Sequence, residues 1–246
     1  MEQTTSSADH GAPLTRGLKA IVFTVVSLCV GGCVSTHRAL TLRSPLEATR
    51  DAVSISPSEA KDRFDRWRKD WTRQVEVFDH FEGRLFVTAT MITPELERTR
   101  TLHHRSTLSL SEREYKSLLR GRLERLNKTY RFFVCLSSND LPKLRSPTDT
   151  KKRAVMVDGA EDMFSAHLII DGVATPPKQI DRLSFKRAQA IADDFPYISP
   201  VKTGYWIVFE VPERFRYHRL EATTHHFTLR FSGLSATASL KWATAP

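Results

Sequence analysis

Alternating apolar and polar residues near the C-terminal end constrain the fold of this chain more than any other feature. The runs Phe227–Phe231 and Ala236–Trp242 both alternate in this way and are joined across Ser232-Gly233. Their apolar members are Phe227, Leu229 and Phe231 in the first run and Ala238, Leu240 and Trp242 in the second. Successive side chains of a β-strand point to opposite faces, so the two runs predict a β-hairpin with one buried face.

Further runs in the middle of the chain also predict strands, at Arg84–Met91, Tyr130–Leu136, Ala154–Val157, Phe164–Ile170 and Tyr205–Val211. Pro212 ends the last of them, because proline has no backbone N–H to donate to a sheet. Seven or so short strands separated by turns are typical of a β-sandwich. We therefore expect residues 56–246 to form a single, mainly β, sandwich-like domain with helices inserted at its edge or ends.

The helical insertions are predicted near residues 57–72, 94–105 and 112–127. Ser56 is a suitable N-cap for the first helix, and Thr93-Pro94 begins the second. Ser111 and Glu114 have the spacing of a capping box at the start of the third helix. The apolar face of this third helix is formed by Tyr115, Leu119, Leu123 and Leu126.

The first helix carries an apolar stripe on one face and charges on the other. The stripe consists of Ala60, Phe64, Trp67 and Trp71. We expect it to pack on the domain, because the acidic residues among the basic ones on the polar face would weaken attraction to anionic lipids. The alternative is a basic amphipathic helix that lies on a membrane surface.

The N-terminal segment has the order of a secretory leader. Arg16 and Lys19 precede the apolar run Ala20–Val30, which Gly31-Gly32 follows. An apolar run of 11 residues is too short to span a bilayer as a helix. Residues 1–32 are therefore predicted to be a signal peptide.

The end of this leader, Val30-Gly31-Gly32-Cys33, resembles the lipobox of bacterial lipoproteins. The resemblance implies cleavage between Gly32 and Cys33 and acylation of the Cys33 thiol. Val30 departs from the leucine that the family most often has there, whereas the two glycines fit. Lipidation at Cys29 is excluded, because Leu28 would occupy a position that needs a small residue. The remaining alternatives are an ordinary secretory signal with a coincidental cysteine, or a short buried helix.

The lipoprotein resemblance also carries an expectation about location. In the family, an aspartate directly after the lipidated cysteine favours the inner membrane of Gram-negative bacteria, and this chain has Val34 there. The resemblance therefore implies a membrane anchor on the periplasmic face of the outer membrane. Residues 33–55 are polar with scattered apolar residues and are predicted to form the lipidated N-terminus and a flexible tether.

The chain is basic, with a formal net charge of +9 that removal of the leader leaves unchanged. Such a charge in a cytosolic protein would raise nucleic acid as a partner, but an exported protein does not meet it. An anionic envelope component or an envelope protein remains as a partner, and a merely soluble basic surface is the alternative.

Within the predicted mature domain, Cys135 is the single remaining free thiol. It lies in the apolar run Phe132–Leu136, so we expect a buried structural cysteine.

The sequence contains no catalytic signature, and we expect neither a catalytic centre, nor a metal, nor a cofactor. The adjacent pairs His103-His104 and His225-His226 could suggest a metal site, but they are interpreted as solvent-facing. Neighbouring side chains on a strand point to opposite faces, so His225 and His226 could not both bind one ion without distortion. The acidic residues around Gly159 lack the ligand spacing of a calcium loop. Asp79-His80 has no evident nucleophile, and Gly233–Thr237 only partly matches the esterase elbow.

These observations favour a non-catalytic structural or interaction module of the envelope. A carrier of a lipid or other amphiphile in the sandwich interior is the second hypothesis, and an envelope hydrolase is the third. For the interaction module, the predicted partner-binding residues are Arg113 and Arg120, which lie seven residues apart on one face of a helix.

Overall fold

The computed structural model describes residues 40–41, 56–79, 82–137, 143–144, 163–200, 202–210, 212–216, 224–233 and 236–245. All of them belong to one compact unit, residues 38–246. The strands are β1 (Leu40–Thr41), β2 (Thr72–Asp79), β3 (Glu82–Ile92), β4 (Thr129–Ser137), β5 (Lys143–Leu144), β6 (Met163–Ile170), β7 (Val173–Thr175), β8 (Gln179–Arg182), β9 (Thr203–Glu210), β10 (His226–Ser232) and β11 (Thr237–Ala245). The helices are α1 (Pro57–Trp71), α2 (Pro94–Thr107), α3 (Glu112–Leu126) and α4 (Phe185–Gln189), with a 3₁₀ turn at Glu213–Phe215.

The strands form two sheets. The first has the order β1-β11-β10-β6-β5, with β7 also paired to β6, and the second has the order β2-β3-β4-β9-β8. Neighbouring strands are antiparallel except for β1 with β11 and β5 with β6. The C-terminal hairpin is present, with Phe227 opposite Trp242 and Leu229 opposite Leu240. The mainly β, sandwich-like fold expected from the sequence is confirmed.

Aromatic rings fill the space between the two sheets. The Phe132 ring on β4 lies 5.5 Å from the Trp242 ring on β11, and the Tyr130 ring lies 5.3 Å from the Phe227 ring on β10. All four side chains are buried. Burial of such large apolar surfaces is the main favourable term in folding, and tilted or edge-on ring pairs add to it.

The other face of the second sheet is covered as well. Alternate residues of β4 point to this side, where the Phe133 ring packs 4.2 Å from Phe195 and 5.1 Å from Trp206. Helix α1 contacts β3, α3 contacts β4, and α2 packs against both helices. The helices therefore form a third layer on the sandwich.

The helix ends follow the expected chemistry. Ser56 Oγ accepts a hydrogen bond from the Glu59 backbone N–H, and Ser111 and Glu114 form both bonds of a capping box. The apolar stripe of α1 packs inward, as expected, with Ala60, Phe64 and Trp71 buried and Trp67 half-buried against the core. The apolar face predicted for α3 is buried too.

Several features differ from the sequence prediction. Strands β2, β5, β7 and β8 were not predicted; β2 follows α1 with no intervening turn, and the other three are only two to four residues long. In the range 33–55, predicted as a tether, Leu40 and Thr41 instead form a strand beside Thr244 and Ala245 of β11. The other residues of that range, and the predicted strand Ala154–Val157, lie outside the described residues.

Candidate functional site

The predicted partner-binding residues, Arg113 and Arg120, lie on the exposed side of α3. They are two helical turns apart, which is about 10 Å along the axis. Within the part of the chain that the structure describes, neither arginine forms an ion pair or hydrogen bond. Both charges are therefore available to a partner. The predicted cleavage and lipidation residues, Gly32 and Cys33, lie outside the described residues.

Helix α2 buries an unusual number of polar and charged side chains. Glu95, Glu97 and Arg98 are each 5% exposed, and Arg100 is 9% exposed. Arg98 and Glu95 form a bonded pair at 2.5 Å, which satisfies both charges within one turn of the helix. Buried charges of this kind are tolerated only when they are paired and hydrogen-bonded.

Five side chains form a closed loop of polar contacts, which we call the charge ring: Glu97, Arg100 and His104 of α2, Arg122 of α3, and Asp194. Arg100 Nη2 lies 2.6 Å from Asp194 Oδ2, and His104 Nε2 lies 2.9 Å from Asp194 Oδ1. Arg122 closes the loop, with Nη1 3.3 Å from Glu97 Oε2 and Nη2 3.4 Å from His104 Nδ1. Glu97 and Arg100 approach to 3.6 Å.

The charge ring holds Asp194 in its ionised form. Burial alone would raise the pKa of this carboxyl, but the hydrogen bond from His104 and the charge of Arg100 lower the pKa to about 2. The neutral tautomer of His104 fits the geometry, with Nε2 donating to Asp194 and Nδ1 accepting from Arg122. Both ring nitrogens then have protein partners, and neither is left to accept a proton from a substrate.

The prediction that the histidine pairs face solvent is wrong for three of the four residues. The His104 side chain is only 20% exposed, in the charge ring. The His103 ring stacks on Phe64 at 6.0 Å, and burial lowers its pKa. Local spacing could not reveal this, because α1 and Asp194, which cover these rings, are distant in sequence.

The His225 side chain is also mostly buried, at 14% exposure, whereas His226 is exposed as predicted. His225 Nδ1 lies 2.5 Å from Asp171 Oδ2, and Asp171 Oδ1 accepts the His226 backbone N–H at 2.9 Å. Asp171 and Gly172 both have positive φ, 48° and 86°, in the tight turn between β6 and β7. The turn therefore brings a carboxylate to the start of β10, and the contact fixes the local structure.

The residues considered for catalysis do not converge. His167 lies on β6 opposite Arg230, and in the described ranges no hydrogen bond joins it to an acidic side chain. His80 and the acidic residues around Gly159 lie outside the described residues. Cys135 is 1% exposed, and burial raises its pKa to about 12 against the opposing charge of Lys202. The expectation of a buried cysteine is confirmed.

A cavity of about 360 Å³ lies on the helix side of the second sheet, between α4 and the adjoining ends of β8 and β9. Two cationic side chains line it, Arg182 and Lys202, together with the polar residues Ser199, Gln189 and Thr203. The rest of its lining is apolar or glycine: Leu183, Phe185, Ala188, Ala192, Ile198, Pro200 and Gly204. Pockets of this size, apolar with a few polar groups, are the usual form of small-molecule sites.

A chain of hydroxyl groups fixes the segment that forms one wall of this cavity. The Tyr197 hydroxyl lies 2.7 Å from Thr90 Oγ1, which lies 2.6 Å from Thr72 Oγ1. Thr72 in turn donates to the Arg68 carbonyl at 2.7 Å. The wall segment is thereby attached both to β3 and to the end of α1.

The sequence analysis did not identify this cavity. Its lining comes from three stretches, around residues 182–192, 198–200 and 202–204, that have no shared motif. The structure shows that Phe185, which lines the cavity, is 63% exposed, and the sequence alone gives no sign of this exposure.

No helix among the described residues is long and apolar enough to cross a membrane. In the same residues, no three His, Cys, Asp or Glu side chains are grouped closely enough to hold a metal ion. No protein-family model matches the chain, and no curated protein matches it.

Among solved structures, the chain is similar to a protein of unknown function from Burkholderia pseudomallei. The identity is 10%, the TM-score is 0.35, and the similarity covers 81% of this chain and 89% of that one. A similarity this weak supports no conclusion about fold or function.

Proposed function

We propose that this protein is a lipid-anchored lipoprotein of the cell envelope whose domain is a non-catalytic interaction module on the periplasmic side of the outer membrane. The anchor rests on the lipobox-like residues Val30-Gly31-Gly32-Cys33 and the basic, apolar and small order of the leader before them. A single acyl chain binds a membrane only marginally, so durable anchoring needs the several chains that the family resemblance implies.

The chemistry of the buried histidines supports a module without catalysis. His104 has an aspartate on one ring nitrogen and an arginine on the other, and His225 is held by Asp171. A general base needs a nitrogen within reach of the substrate proton. In both cases the carboxylate contact instead holds two distant segments of the chain together.

The observation that carries the interaction role is the exposed face of α3. Arg113 and Arg120 present two charges with no partner among the described residues, on a helix whose opposite face is buried. Arginine is among the residues that most often dominate binding energy at interfaces. A rigid helix with unpaired cations fits a partner with an anionic surface, an envelope protein or another anionic envelope component.

The runner-up function is binding of a lipid or other amphiphile. The sequence analysis places this ligand in the sandwich interior, but the side chains of Phe132, Trp242 and Tyr130 fill that space. The cavity next to α4 is a better location for such a ligand.

Photocrosslinking in intact cells tests the interaction role. A benzoylphenylalanine at Ser117, an exposed residue on α3, should give a discrete adduct. The Arg113→Glu/Arg120→Glu variant should lose this adduct, and raised salt should weaken it, because charge attraction is screened. The matched control is Arg66→Glu/Lys69→Glu on the exposed face of α1, which carries the same charge change and should keep the adduct. An adduct that survives reversal at Arg113 and Arg120 would show that these two charges do not carry the binding, and no discrete adduct from wild type would reject this face as the binding surface.

Metabolic labelling with an alkynyl fatty acid tests the anchor separately. Wild type should incorporate the label and Cys33→Ala should not, while the domain folds in both. Equal labelling of the two proteins would remove the lipoprotein proposal and leave the α3 test unaffected.

A further inference from the structure

The cavity beside α4 combines an apolar lining with positive charge. Arg182 and Lys202 are its two charged lining residues, and in the part of the chain described no carboxylate lines it. Neither cation forms an ion pair with another described residue. The nearest carboxyl in sequence, on Asp181, accepts a hydrogen bond from Gln179. The charged part of the described lining is therefore wholly positive.

Ser199 supplies a third polar group. Its Oγ is buried and has no hydrogen-bond partner. A buried hydroxyl without a partner destabilises a protein by roughly 1–3 kcal/mol, so such groups generally meet a ligand or an ordered water. Ser199 lines the same cavity as the two cations, so a rotation of its side chain toward the cavity would make this hydroxyl a donor to an anionic ligand.

The apolar part of the cavity includes Gly204, Leu183 and the exposed ring of Phe185. A Cβ on Gly204 would lie 3.1 Å from Leu183 Cδ1 and 3.5 Å from Phe133 Cζ, so glycine lets Leu183 lie against the sheet. Phe185 lines the cavity and keeps 63% of its surface exposed. An apolar ligand that enters would cover this ring and gain free energy from the area removed from water.

We infer that this cavity binds one acyl chain with an anionic head group, the chain against Leu183, Phe185 and Ile198 and the head group between Arg182, Lys202 and Ser199. Concavity favours this ligand over a membrane surface, which would need a convex or flat apolar patch. The inference does not depend on the role of α3, because none of the residues that line the cavity belongs to that helix.

Photoaffinity labelling in isolated envelopes tests the inference with the full chain in place. Three probes share one diazirine-bearing, alkyne-tagged alkyl chain and end in a carboxylate, a phosphate or an alcohol. We expect the anionic probes to label residues 183–204, as mapped by mass spectrometry of the peptides. The alcohol should label about tenfold less, because it lacks the charge-assisted hydrogen bonds. Labelling by only one of the two anions identifies the head group and supports the inference.

Charge reversal separates this site from the general basic surface. Arg182→Glu/Lys202→Glu should reduce labelling by the anionic probes about tenfold. The matched control is Lys186→Glu/Arg187→Glu, an equal charge change on exposed neighbours that do not line the cavity, and it should label as wild type does. Equal reduction in both variants would overturn the inference in favour of nonspecific attraction.

Filling the cavity gives an independent test. Ala188→Trp should block labelling, whereas Ala190→Trp, an exposed position on the same segment outside the lining, should not. If Ala188→Trp does not fold, Ala192→Phe fills the cavity from another position. Equal labelling by acid and alcohol, centred on Phe185 and insensitive to filling, would show contact with the membrane surface and overturn the inference.

Ser199→Ala distinguishes a ligand-binding hydroxyl from a structural one. Without ligand this variant should be at least as stable as wild type, because it removes an unpaired buried hydroxyl. Its labelling by the anionic probes should nevertheless fall. Loss of stability together with unchanged labelling would remove Ser199 from the site.

Discussion

The space between the two sheets and the interior of the helix layer are both buried, but they are filled by different chemistry. Rings such as Phe132, Trp242 and Phe227 fill the first. In the second, α2 buries glutamates and arginines that contact one another and Asp194. An apolar interior needs the right volume, whereas a charged interior needs each partner in a defined position.

This difference explains how each region responds to sequence change. Free energy from apolar burial is spread over many contacts and does not depend on direction. In the charge ring the desolvation of five polar groups is offset by a few directional bonds, and removing one partner leaves another buried charge unpaired. We therefore expect single substitutions in the two regions to lower the free energy of unfolding by similar amounts. A second substitution should add to the loss in the aromatic interior, whereas in the charge ring it should restore part of the loss.

The largest expected effect is in the aromatic interior. Trp242→Ala should lower the free energy of unfolding by about 4 kcal/mol, because it leaves a cavity between the sheets and removes the bond from Trp242 Nε1 to the Trp71 carbonyl. Chemical denaturation followed by circular dichroism measures this. Trp206→Ala, at a half-buried ring on the other side of the second sheet, is the matched control and should lose less. Equal losses of unfolding free energy in the two variants would show that the two faces of the second sheet do not differ in packing.

A slightly smaller loss is expected when the charge ring is broken at one residue. Arg100→Met should lower the free energy of unfolding by about 3 kcal/mol, because Asp194 keeps its buried charge without its main partner. Adding Asp194→Leu to Arg100→Met should restore part of this loss, since no unpaired charge then remains. A double variant that is as unstable as the sum of the two single variants would mean that the ring does not act as a unit.

The pH dependence of stability should separate the regions further. The pKa of Asp194 is about 2 in the folded protein and about 3.9 when unfolded, so the unfolded state binds more protons between these values. About 2 kcal/mol of stability should be present above pH 4 and be lost as the pH falls from about 4 to 2. Asp194→Asn should be less stable at neutral pH and should lack this acid-dependent step. If Asp194→Asn still loses stability between pH 4 and pH 2 as wild type does, the loss is due to other carboxyl groups.

The smallest effect concerns Cys135, which lies in β4 between the two regions. Cys135→Ser should cost about 1–3 kcal/mol, since the hydroxyl would be buried without an assigned partner. A maleimide should react slowly with the native protein and rapidly after unfolding, because the thiol is buried and its pKa is about 12. Cys135→Ala, which has no polar group to bury, is the control. Labelling of the native protein as fast as a free thiol would contradict the burial.

The aromatic interior was predictable from the sequence, and the charged one was not. Alternation at Phe227–Phe231 is a local signal that survives in the fold. Helix α2 looks like an exposed helix in sequence, because its many charges give no apolar face. Its partners come from other segments, Arg122 from the next helix and Asp194 from 94 residues beyond Arg100. A turn at Asp171-Gly172 could have been predicted, since Asp-Gly favours a two-residue hairpin turn. The contact of Asp171 with His225 could not, because the two residues are distant in sequence.

The hydroxyl chain from Tyr197 to Arg68 has a direction. The Thr72 proton is used on the Arg68 carbonyl, so Thr90 must donate to Thr72, and Tyr197 donates to Thr90 at 2.7 Å rather than to the Phe133 carbonyl at 3.4 Å. Each hydroxyl has one proton, and all three bonds can form together in this order alone. The three protons should therefore exchange with solvent as a group, at the rate at which the wall of the cavity opens, and their exchange would report the breathing of that wall.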